Sequence, residues 1–262
     1  MNNKESKEIF SFVISSDFAS FRKFDTADTL YLTYYFIPRP VVLGIIGAIM
    51  GLKKSTSATL PWWEKLKTVK IAVEPLEISS LKHLVIYNNS TGAASYSEEK
   101  GLRSGQNLVV REQILINPRY RIYVELNDIT KDAFDLLTKN KTVFTPYMGK
   151  NEFMAKITEI EKHKIERFEG ICRVSSIYPS YLAGLSNRHT NYWIEGLDLV
   201  EILESYPYDY DDQYKYIQDV FIFSNREIDT RTLGNTCGCF VKLKNGKVIY
   251  LIGGRGNETS LG

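Results

Sequence analysis

Residues 34–51 read Tyr-Tyr-Phe-Ile-Pro-Arg-Pro-Val-Val-Leu-Gly-Ile-Ile-Gly-Ala-Ile-Met-Gly, and they place a helix in a chain that is otherwise rich in strand signals. The two prolines end the preceding segment. Pro40 suits a first helical turn, because the N–H that proline lacks has no partner there in any case. We therefore predict a helix from Val41 to about Lys53.

Three glycines lie on one face of this predicted helix, because they recur at spacings of three and four residues: Gly44, Gly47 and Gly51. Glycine weakens a helix, so another element is expected to approach this face closely. Two explanations remain open. Packing against a sheet is favoured over contact between a phosphate and the helix N-terminus.

Strand patterns surround this helix. Residues 119–126, Arg-Tyr-Arg-Ile-Tyr-Val-Glu-Leu, alternate as a strand does. Asn245-Gly246 separates two alternating segments and predicts a two-residue hairpin turn. A second helix is predicted over Thr130 to Lys139, with Thr130 as its N-cap. The other predicted strands are Glu8 to Ser15, Thr68 to Glu74, Lys82 to Asn88, Met154 to Ile160, Gly170 to Ile177, Cys239 to Leu243 and Lys247 to Ile252. This order predicts an α+β fold with an antiparallel sheet.

Three segments show no such periodicity. Asn89 to Gln113 is rich in Ser, Gly and charged residues, which predicts a long surface excursion. Ser205 to Tyr216 is rich in Tyr and Asp and is predicted to be a surface loop. Gly253 to Gly262 is polar and glycine-rich, as flexible tails and mobile loops are.

The composition is that of a globular protein. The 262 residues include 33 Lys and Arg against 31 Asp and Glu, giving a formal net charge of +2. This balance excludes a histone-like arm, so any contact with nucleic acid must come from a local basic patch. The longest apolar run, Val41 to Leu52, is shorter than the roughly 20 residues that span a bilayer. Three cysteines and no signal peptide favour a reduced, soluble, cytoplasmic protein without a disulfide framework.

Motifs for metal binding and catalysis are weak. Cys237 and Cys239 would need two further zinc ligands, and the three histidines have no paired spacing. No phosphate-binding loop, nucleophile elbow or dinucleotide fingerprint occurs. The pairs Lys82-His83 and His163-Lys164 could serve as acid–base groups in metal-free RNA cleavage, although solvated surface positions are the favoured interpretation.

Basic residues interleaved with aromatic ones are better represented. The clusters are Phe21-Arg22-Lys23-Phe24, Tyr35-Phe36 with Arg39, Arg103 with Arg111, and Arg119-Tyr120-Arg121. Single-stranded nucleic acid is bound by such combinations, since cations follow the phosphates and rings stack on bases. Each cluster alone is also typical of an ordinary sheet face.

Four segments in order resemble a known family: residues 18–22 (FASFR), 34–51, 114–124 (ILINPRYRIYV) and 147–155 (YMGKNEFMA). Their order and spacing are similar to the CRISPR-associated Cas family five of the RAMP superfamily, most of all to its type I-B variant. The resemblance implies a ferredoxin-like, RRM-type antiparallel sheet in residues 1–170. It also implies an inserted thumb near residues 89–113 and a C-terminal β-rich extension, residues 171–262, packed on the first domain.

Members of this family cap the 5′ handle of the guide RNA (crRNA) in type I Cascade, an antiviral ribonucleoprotein. The resemblance implies contacts with the backbone subunit (Cas family seven) and the large subunit (Cas family eight), and only indirect proximity to target DNA near the PAM. It implies no cofactor, no metal and no membrane. The RNA-binding residues carried over from it are Phe21, Arg22, Lys23, Arg39, Tyr147, Lys150 and Asn151, with Arg103 and Arg111 in the thumb.

The family also contains a catalytic branch. In type I-C systems its members cleave precursor guide RNA with tyrosine, lysine and histidine, whereas in type I-B systems a separate Cas family six enzyme cuts. No histidine neighbours the tyrosines of residues 31–35. A non-catalytic subunit is therefore favoured. A metal-independent endoribonuclease is the alternative, and an α+β interaction module without RNA is a third.

Overall fold

The computed structural model describes residues 8–24, 30–53, 59–77, 82–90, 95–97, 101–103, 107–183, 192–195, 200–232 and 238–254. Its helices are α1 (Arg39–Met50), α2 (Pro61–Leu66) and α3 (Lys131–Thr138). Its strands are β1 (Glu8–Ser15), β2 (Phe18–Ala19), β3 (Leu30–Tyr31), β4 (Ile71–Pro75), β5 (Lys82–Ser90), β6 (Ser95–Ser97), β7 (Gly101–Arg103), β8 (Asn107–Ile116), β9 (Arg119–Glu125), β10 (Lys156–Arg167), β11 (Ile171–Arg173), β12 (Tyr178–Pro179), β13 (Tyr192–Glu195), β14 (Val200–Tyr210), β15 (Tyr216–Ser224), β16 (Glu227–Asp229), β17 (Gly238–Leu243) and β18 (Val248–Ile252).

Six strands form a closed antiparallel barrel in the order β1-β10-β17-β18-β4-β9, and β9 pairs with β1. The predicted α+β class with antiparallel sheets is confirmed. The barrel itself was not predicted from the sequence. Strands β17 and β18, from the C-terminal part of the chain, belong to the same barrel as β1. The division at residue 170 stays a prediction.

Alternating side chains give the barrel strands two apolar faces. Phe10, Val73 and Ile122 lie on the face that packs with the helices in the large core. A smaller cluster lies on the other face: Ile9, Ala72, Tyr123, Val241, Leu243, Ile249 and Leu251. Neighbouring residues of one strand, such as Ile9 and Phe10, therefore belong to different cores.

A second antiparallel sheet has the order β12-β15-β14-β13. Its β14–β15 hairpin spans residues 200–224, so the predicted surface loop is wrong for residues 205–210, which are strand, while residues 211–215 form the turn. Tyr206 is buried there with its ring centroid 4.8 Å from that of Phe221, and the rings of Tyr210 and Tyr216 stack at 5.0 Å. Tyrosine favours strands and buries a large ring, and these two effects outweigh the loop-like composition.

Strands β5 and β8 form a long antiparallel pair, which we call the ribbon, with the short pair β6–β7 between them in the chain. Strands β2 and β3 also pair with β8 and complete a four-stranded sheet. The segment 89–113 therefore contains paired strands rather than an irregular excursion, although residues 91–94, 98–100 and 104–106 lie outside the described residues. The strand pattern of β8 was missed because Glu112, a charged residue, occupies a buried position.

Polar contacts fix the segment before α1 to the second sheet. Glu204 on β14 accepts hydrogen bonds from the backbone N–H groups of Tyr35 (2.6 Å) and Phe36 (3.2 Å). Its carboxylate also pairs with Lys82 at 3.1 Å and Lys23 at 3.3 Å. One buried carboxylate thus joins the chain before α1, the ribbon and the second sheet.

Helix α1 has Pro40 in its first turn, as predicted, and ends at Met50 with Gly51 as a left-handed C-cap at φ 74°. A Cβ on Gly47 would lie 3.2 Å from the Cβ of Trp62, and a Cβ on Gly44 would lie 3.8 Å from its ring. The glycine face therefore serves close packing, as favoured, but against Trp62 of α2 rather than against a sheet.

The distances from Gly44 and Gly47 to Trp62 predict different changes in stability for two matched substitutions. Gly44→Ala places a methyl at ordinary contact distance and should raise the free energy of unfolding by about 0.5–1 kcal/mol, because alanine favours the helix. Gly47→Ala brings the same helix propensity, but its methyl must displace Trp62, so it should gain less or lose stability. Urea denaturation of the two variants checks this order, and equal stabilisation would contradict close packing at Gly47.

Two local predictions need correction. In the β17–β18 hairpin, the Gly246 N–H donates to the Leu243 carbonyl (2.9 Å), and only Gly246 of the central pair has a positive φ, 88°. The loop therefore has three residues, 244–246, and ends in a glycine of left-handed conformation, whereas the sequence predicted a two-residue turn. The Thr130 hydroxyl does not cap α3, because it donates to the Glu125 carbonyl at 2.6 Å.

Within the described ranges, no helix is long and apolar enough to cross a bilayer. The same residues contain no group of three His, Cys, Asp or Glu side chains that could hold a metal ion. Cys237, His189 and residues 255–262 of the predicted tail lie outside the described residues.

Candidate nucleic-acid interface

Three of the predicted RNA-binding residues, Phe21, Arg22 and Lys150, line one open pocket of about 380 Å³. Arg22 follows β2 and pairs with Thr33 through an isolated β-bridge. Lys150 lies in the loop between α3 and β10, whose ends are joined by a bridge between Tyr147 and Met154. Segments that are far apart in the sequence thus place two cations in one pocket, which we call the Arg22 pocket.

Gly149 fixes the position of this loop. Its φ is 92°, and a Cβ there would lie 1.8 Å from the carbonyl oxygen of Ser20. The Ser20 N–H donates to the Met148 carbonyl at 3.2 Å on the same edge. Only glycine combines the left-handed backbone with this close approach, and Lys150 is held beside β2 as a result.

A buried carboxylate organises the floor of the pocket. Glu112 accepts hydrogen bonds from Lys150 (2.8 Å), the Tyr87 hydroxyl (2.6 Å) and the Ser20 hydroxyl (2.9 Å). Burial alone would raise the pKa of Glu112, but these three donors lower it below its usual value. Burial alone would lower the pKa of Lys150, but hydrogen bonds to Glu112, Glu152 and Tyr87 raise it. Both groups are therefore charged at neutral pH.

Aromatic rings stand beside both cations. The Arg22 guanidinium lies 3.6 Å from the centroid of the Tyr31 ring. The Lys150 ammonium lies 5.4 Å from the ring of Tyr87 and 5.6 Å from that of Phe153. These contacts fall within the range of cation–π interactions. The pocket therefore combines positive charge with exposed ring surface.

Tyr31, Tyr87 and Glu112 were missed as site residues. Tyr87 and Glu112 lie on paired strands, 25 residues apart in the chain. Their contact depends on the register of the ribbon, which no local pattern specifies. Tyr31 lies in the same segment as other tyrosines. It differs from them in the structure because it lies on β3, opposite Glu112 of β8.

Three predicted RNA-binding residues have little or no exposed surface. Phe21 is 2% exposed and belongs to the core, although it also lines the Arg22 pocket. Lys23 is 9% exposed and pairs with Glu204. Arg39 has no exposed surface, and its guanidinium donates to the carbonyls of Lys67, Val69 and Tyr208. Their contact with RNA stays a prediction, and the burial of Lys23 and Arg39 in protein contacts disfavours it.

Of the remaining predicted residues, Arg111, Asn151 and Tyr147 do not line the Arg22 pocket. Arg111 is exposed on the face of β8 opposite to Glu112. Asn151 is exposed in the Lys150 loop. Arg103 lies on β7, and its side chain is outside the described part of the structure. Tyr147 lines a neighbouring cleft.

That cleft has a volume of about 640 Å³ and runs along the glycine face of α1. Five aromatic residues line it: Trp62, Phe144, Tyr147, Tyr210 and Tyr216. Val41, Gly149 and Tyr216 line both the cleft and the Arg22 pocket, so the two adjoin. We call it the aromatic cleft.

The two described histidines lie apart from this site. His83 is exposed and lines a polar groove of about 970 Å³ together with Asp17, Arg119 and Lys156. His163 lies 2.8 Å from the Ser11 hydroxyl, and its pKa is lowered chiefly by burial. His163 thus contacts a neighbouring strand of the barrel through Ser11, whereas His83 faces solvent.

No protein-family profile and no curated protein sequence matches this chain. Among solved structures, it is similar to a CRISPR protein from Archaeoglobus fulgidus at 10% identity, covering 93% of this chain and 98% of that one, with a TM-score of 0.48. A chain of a CRISPR RNA-guided surveillance complex is 11% identical, covering 84% and 90%, with a TM-score of 0.47. A chain of a type III-B Cmr-beta complex bound to cognate target RNA and AMPPnP is 11% identical, covering 84% and 86%, with a TM-score of 0.45. Similarities at this level do not establish a family, so the function has to come from the residues of this chain.

Proposed function

We propose that this chain is a non-catalytic, RNA-binding subunit of a cytoplasmic CRISPR RNA-guided complex, in which it binds and caps the 5′ handle of the guide RNA. One observation carries the proposal: the Arg22 guanidinium, stacked on Tyr31, faces an open pocket beside Lys150. The assignment to the 5′ handle and to a type I-B system rests on the sequence resemblance.

Arg22 is the phosphate-binding group in this proposal. Among the described residues it makes no ion pair, whereas Lys150 is paired with Glu112 and Glu152. A guanidinium held flat on a ring keeps its N–H donors at its edges, where they can bond two phosphate oxygens. Lys150 balances the charge of the Glu112 carboxylate and orders the loop.

The ribbon supplies a surface for a neighbouring subunit. Leu84, Ile86 and Val109 are 55%, 59% and 50% exposed, and the strand register places them on one face with Arg111. Exposed apolar side chains grouped in this way are typical of protein contact surfaces. We assign this face to the backbone subunit of Cas family seven. Contact with the large subunit of Cas family eight, and indirect proximity to target DNA, follow from the resemblance.

Arg22→Gln should weaken binding of single-stranded guide RNA and flatten its salt dependence. One lost phosphate contact changes the slope of log affinity against log salt by about 0.7 on a single strand. The measurement is fluorescence anisotropy of a labelled handle RNA over a series of salt concentrations.

Lys244→Gln is the matched control, because Lys244 is exposed in the β17–β18 turn and its loss removes the same charge away from the pocket. The control should leave the slope unchanged. Equal flattening in both variants would indicate diffuse attraction and contradict a site at Arg22.

The alternative function is metal-independent cleavage of precursor guide RNA, and the polar groove at His83 is the place for it. His83 has Lys156 and Arg119 in the same groove, which supplies a general base and cations. Incubating the protein with a repeat-containing transcript in chelator distinguishes the two functions. Intact RNA agrees with the non-catalytic proposal, whereas site-specific cleavage lost in His83→Ala would replace it.

A further inference from the structure

We infer that the aromatic cleft is a binding site for the bases of the same single RNA strand whose phosphates meet Arg22. The inference rests on the proposed function and adds to it a second subsite of different chemistry. The Arg22 pocket can bind the sugar-phosphate backbone, whereas the cleft offers ring surfaces and apolar walls.

Adjacency of the two cavities is the first observation. Tyr216, Val41 and Gly149 line both of them, so a strand anchored at Arg22 has the cleft beside it. The Tyr216 ring stacks on Tyr210, which also lines the cleft. Two rings of the cleft therefore lie next to the Arg22 pocket.

The lining of the cleft is the second observation. Trp62 packs against the glycine face of α1. Trp62, Gly44 and Gly47 together form one wall of the cleft, and larger side chains at the two glycines would narrow it. Phe144 is 54% exposed at the rim. Tyr147 and Thr145 add hydroxyl groups that can bond the polar edges of a base. Exposed rings with a few polar groups are the features that stack unpaired bases.

The proposed occupant is the bases of one strand, because Arg22 lies in the adjoining pocket and the cleft itself offers five aromatic side chains, apolar walls and one further cation, Lys53. An RNA strand has matching chemistry, with anionic phosphates linked to flat aromatic bases. Base–aromatic stacking contributes about 1–3 kcal/mol per base, equivalent to a roughly 5- to 140-fold change in affinity.

The test compares a short single-stranded RNA with an abasic ribose-phosphate strand of the same length and charge. The unmodified protein should bind the RNA roughly 5- to 140-fold more tightly than the abasic strand. Ala48→Leu should remove most of this preference, because Ala48 lines the cleft and leucine extends into it while keeping a good helix former in α1. The salt slope set by Arg22 should stay unchanged in this variant.

A second variant guards against misfolding as the explanation. Tyr147→Ala removes a ring from the wall rather than filling the space, and it should also reduce the preference for RNA over the abasic strand. Thermal unfolding and binding of the abasic strand, measured in parallel, report whether either variant retains its fold and the Arg22 pocket.

The outcomes are separable. Equal affinity of the unmodified protein for the two strands, or a preference that survives both variants, would overturn the base site and leave the Arg22 pocket in place. Failure of both strands to bind would overturn the proposed function as well. Self-association abolished by Ala48→Leu, seen in sedimentation, would assign the cleft to a second copy of the chain and overturn the inference.

Discussion

Glu204→Gln should lower the free energy of unfolding by about 3 kcal/mol, because it leaves buried cations without their counter-charge. Glu204 is 2% exposed, and it pairs with Lys82 and Lys23 while accepting the N–H groups of Tyr35 and Phe36. Glutamine can keep one of the backbone contacts but cannot balance the two ammonium groups. Urea denaturation at neutral pH measures the loss.

The loss should shrink as the pH rises. Burial lowers the pKa of Lys82, and the Coulombic attraction of Glu204 partly opposes this shift. Without Glu204 the pKa of Lys82 falls further, so above it the folded variant binds fewer protons than the unfolded chain. Stability rises with pH where the unfolded state binds more protons, so the deficit relative to the parent should decrease as the pH rises towards the ordinary pKa of lysine.

Glu201→Gln is the matched control on the same strand. Glu201 pairs with Arg226, whose side chain is 58% exposed and can be solvated when its partner is lost. This variant should lose less stability, and its deficit should not depend on pH in the same range. An equal loss with the same pH dependence would show that the effect belongs to β14 in general rather than to the buried lysines.

The sequence predicts those parts of the fold that depend on local periodicity. Strand β1 is found at its predicted bounds, β9 is one residue shorter than predicted at its C-terminal end, and α3 is one residue shorter at each end. Helix α1 was recognised from its prolines and its apolar run. In β1 the dense apolar run agrees with burial on both faces, whereas in α3 the helical spacing agrees with the burial of Ala133 and Leu137 on one face.

The barrel lies beyond such patterns. Its closure depends on the pairing of Ile252 with Ile71 and of Val241 with Arg167, which joins residues far apart in the chain. Many registers would satisfy the alternation of each strand alone. Only the sum of the side-chain contacts on both faces selects one of them, and that sum is a property of the whole chain.

The site separates residues that look alike in the sequence. Arg22 and Arg39 both stand near aromatic residues, and both were assigned to RNA. Arg22 faces a pocket, whereas Arg39 is enclosed by carbonyls of residues 67, 69 and 208. Residue 208 lies on β14, so the burial of Arg39 depends on tertiary contacts. The residues next to Arg39 in the sequence do not indicate these contacts.

Arg39→Leu should destabilise the protein more than any surface substitution, by about 3–5 kcal/mol. The guanidinium donates at 2.6 Å to Lys67, at 2.8 Å to Val69 and at 3.0 Å to Tyr208. Each buried carbonyl left without its donor costs about 1–3 kcal/mol, and leucine offers none. Because domains have a net stability of only about 5–15 kcal/mol, this loss should be visible as a large fall in the urea midpoint.

Arg39→Lys and Arg22→Leu complete the comparison. Lysine keeps the charge of Arg39 but not the planar fork that reaches three carbonyls, so most of the loss should remain. Arg22→Leu alters an exposed side chain and should change stability by no more than about 0.5 kcal/mol, yet it should flatten the salt slope of RNA binding by about 0.7. Under conditions where the Arg39 variants are folded, their salt slope should equal that of the parent, because Arg39 meets no phosphate. A stable Arg39→Leu protein with a flattened slope would return Arg39 to the RNA surface and contradict the buried network.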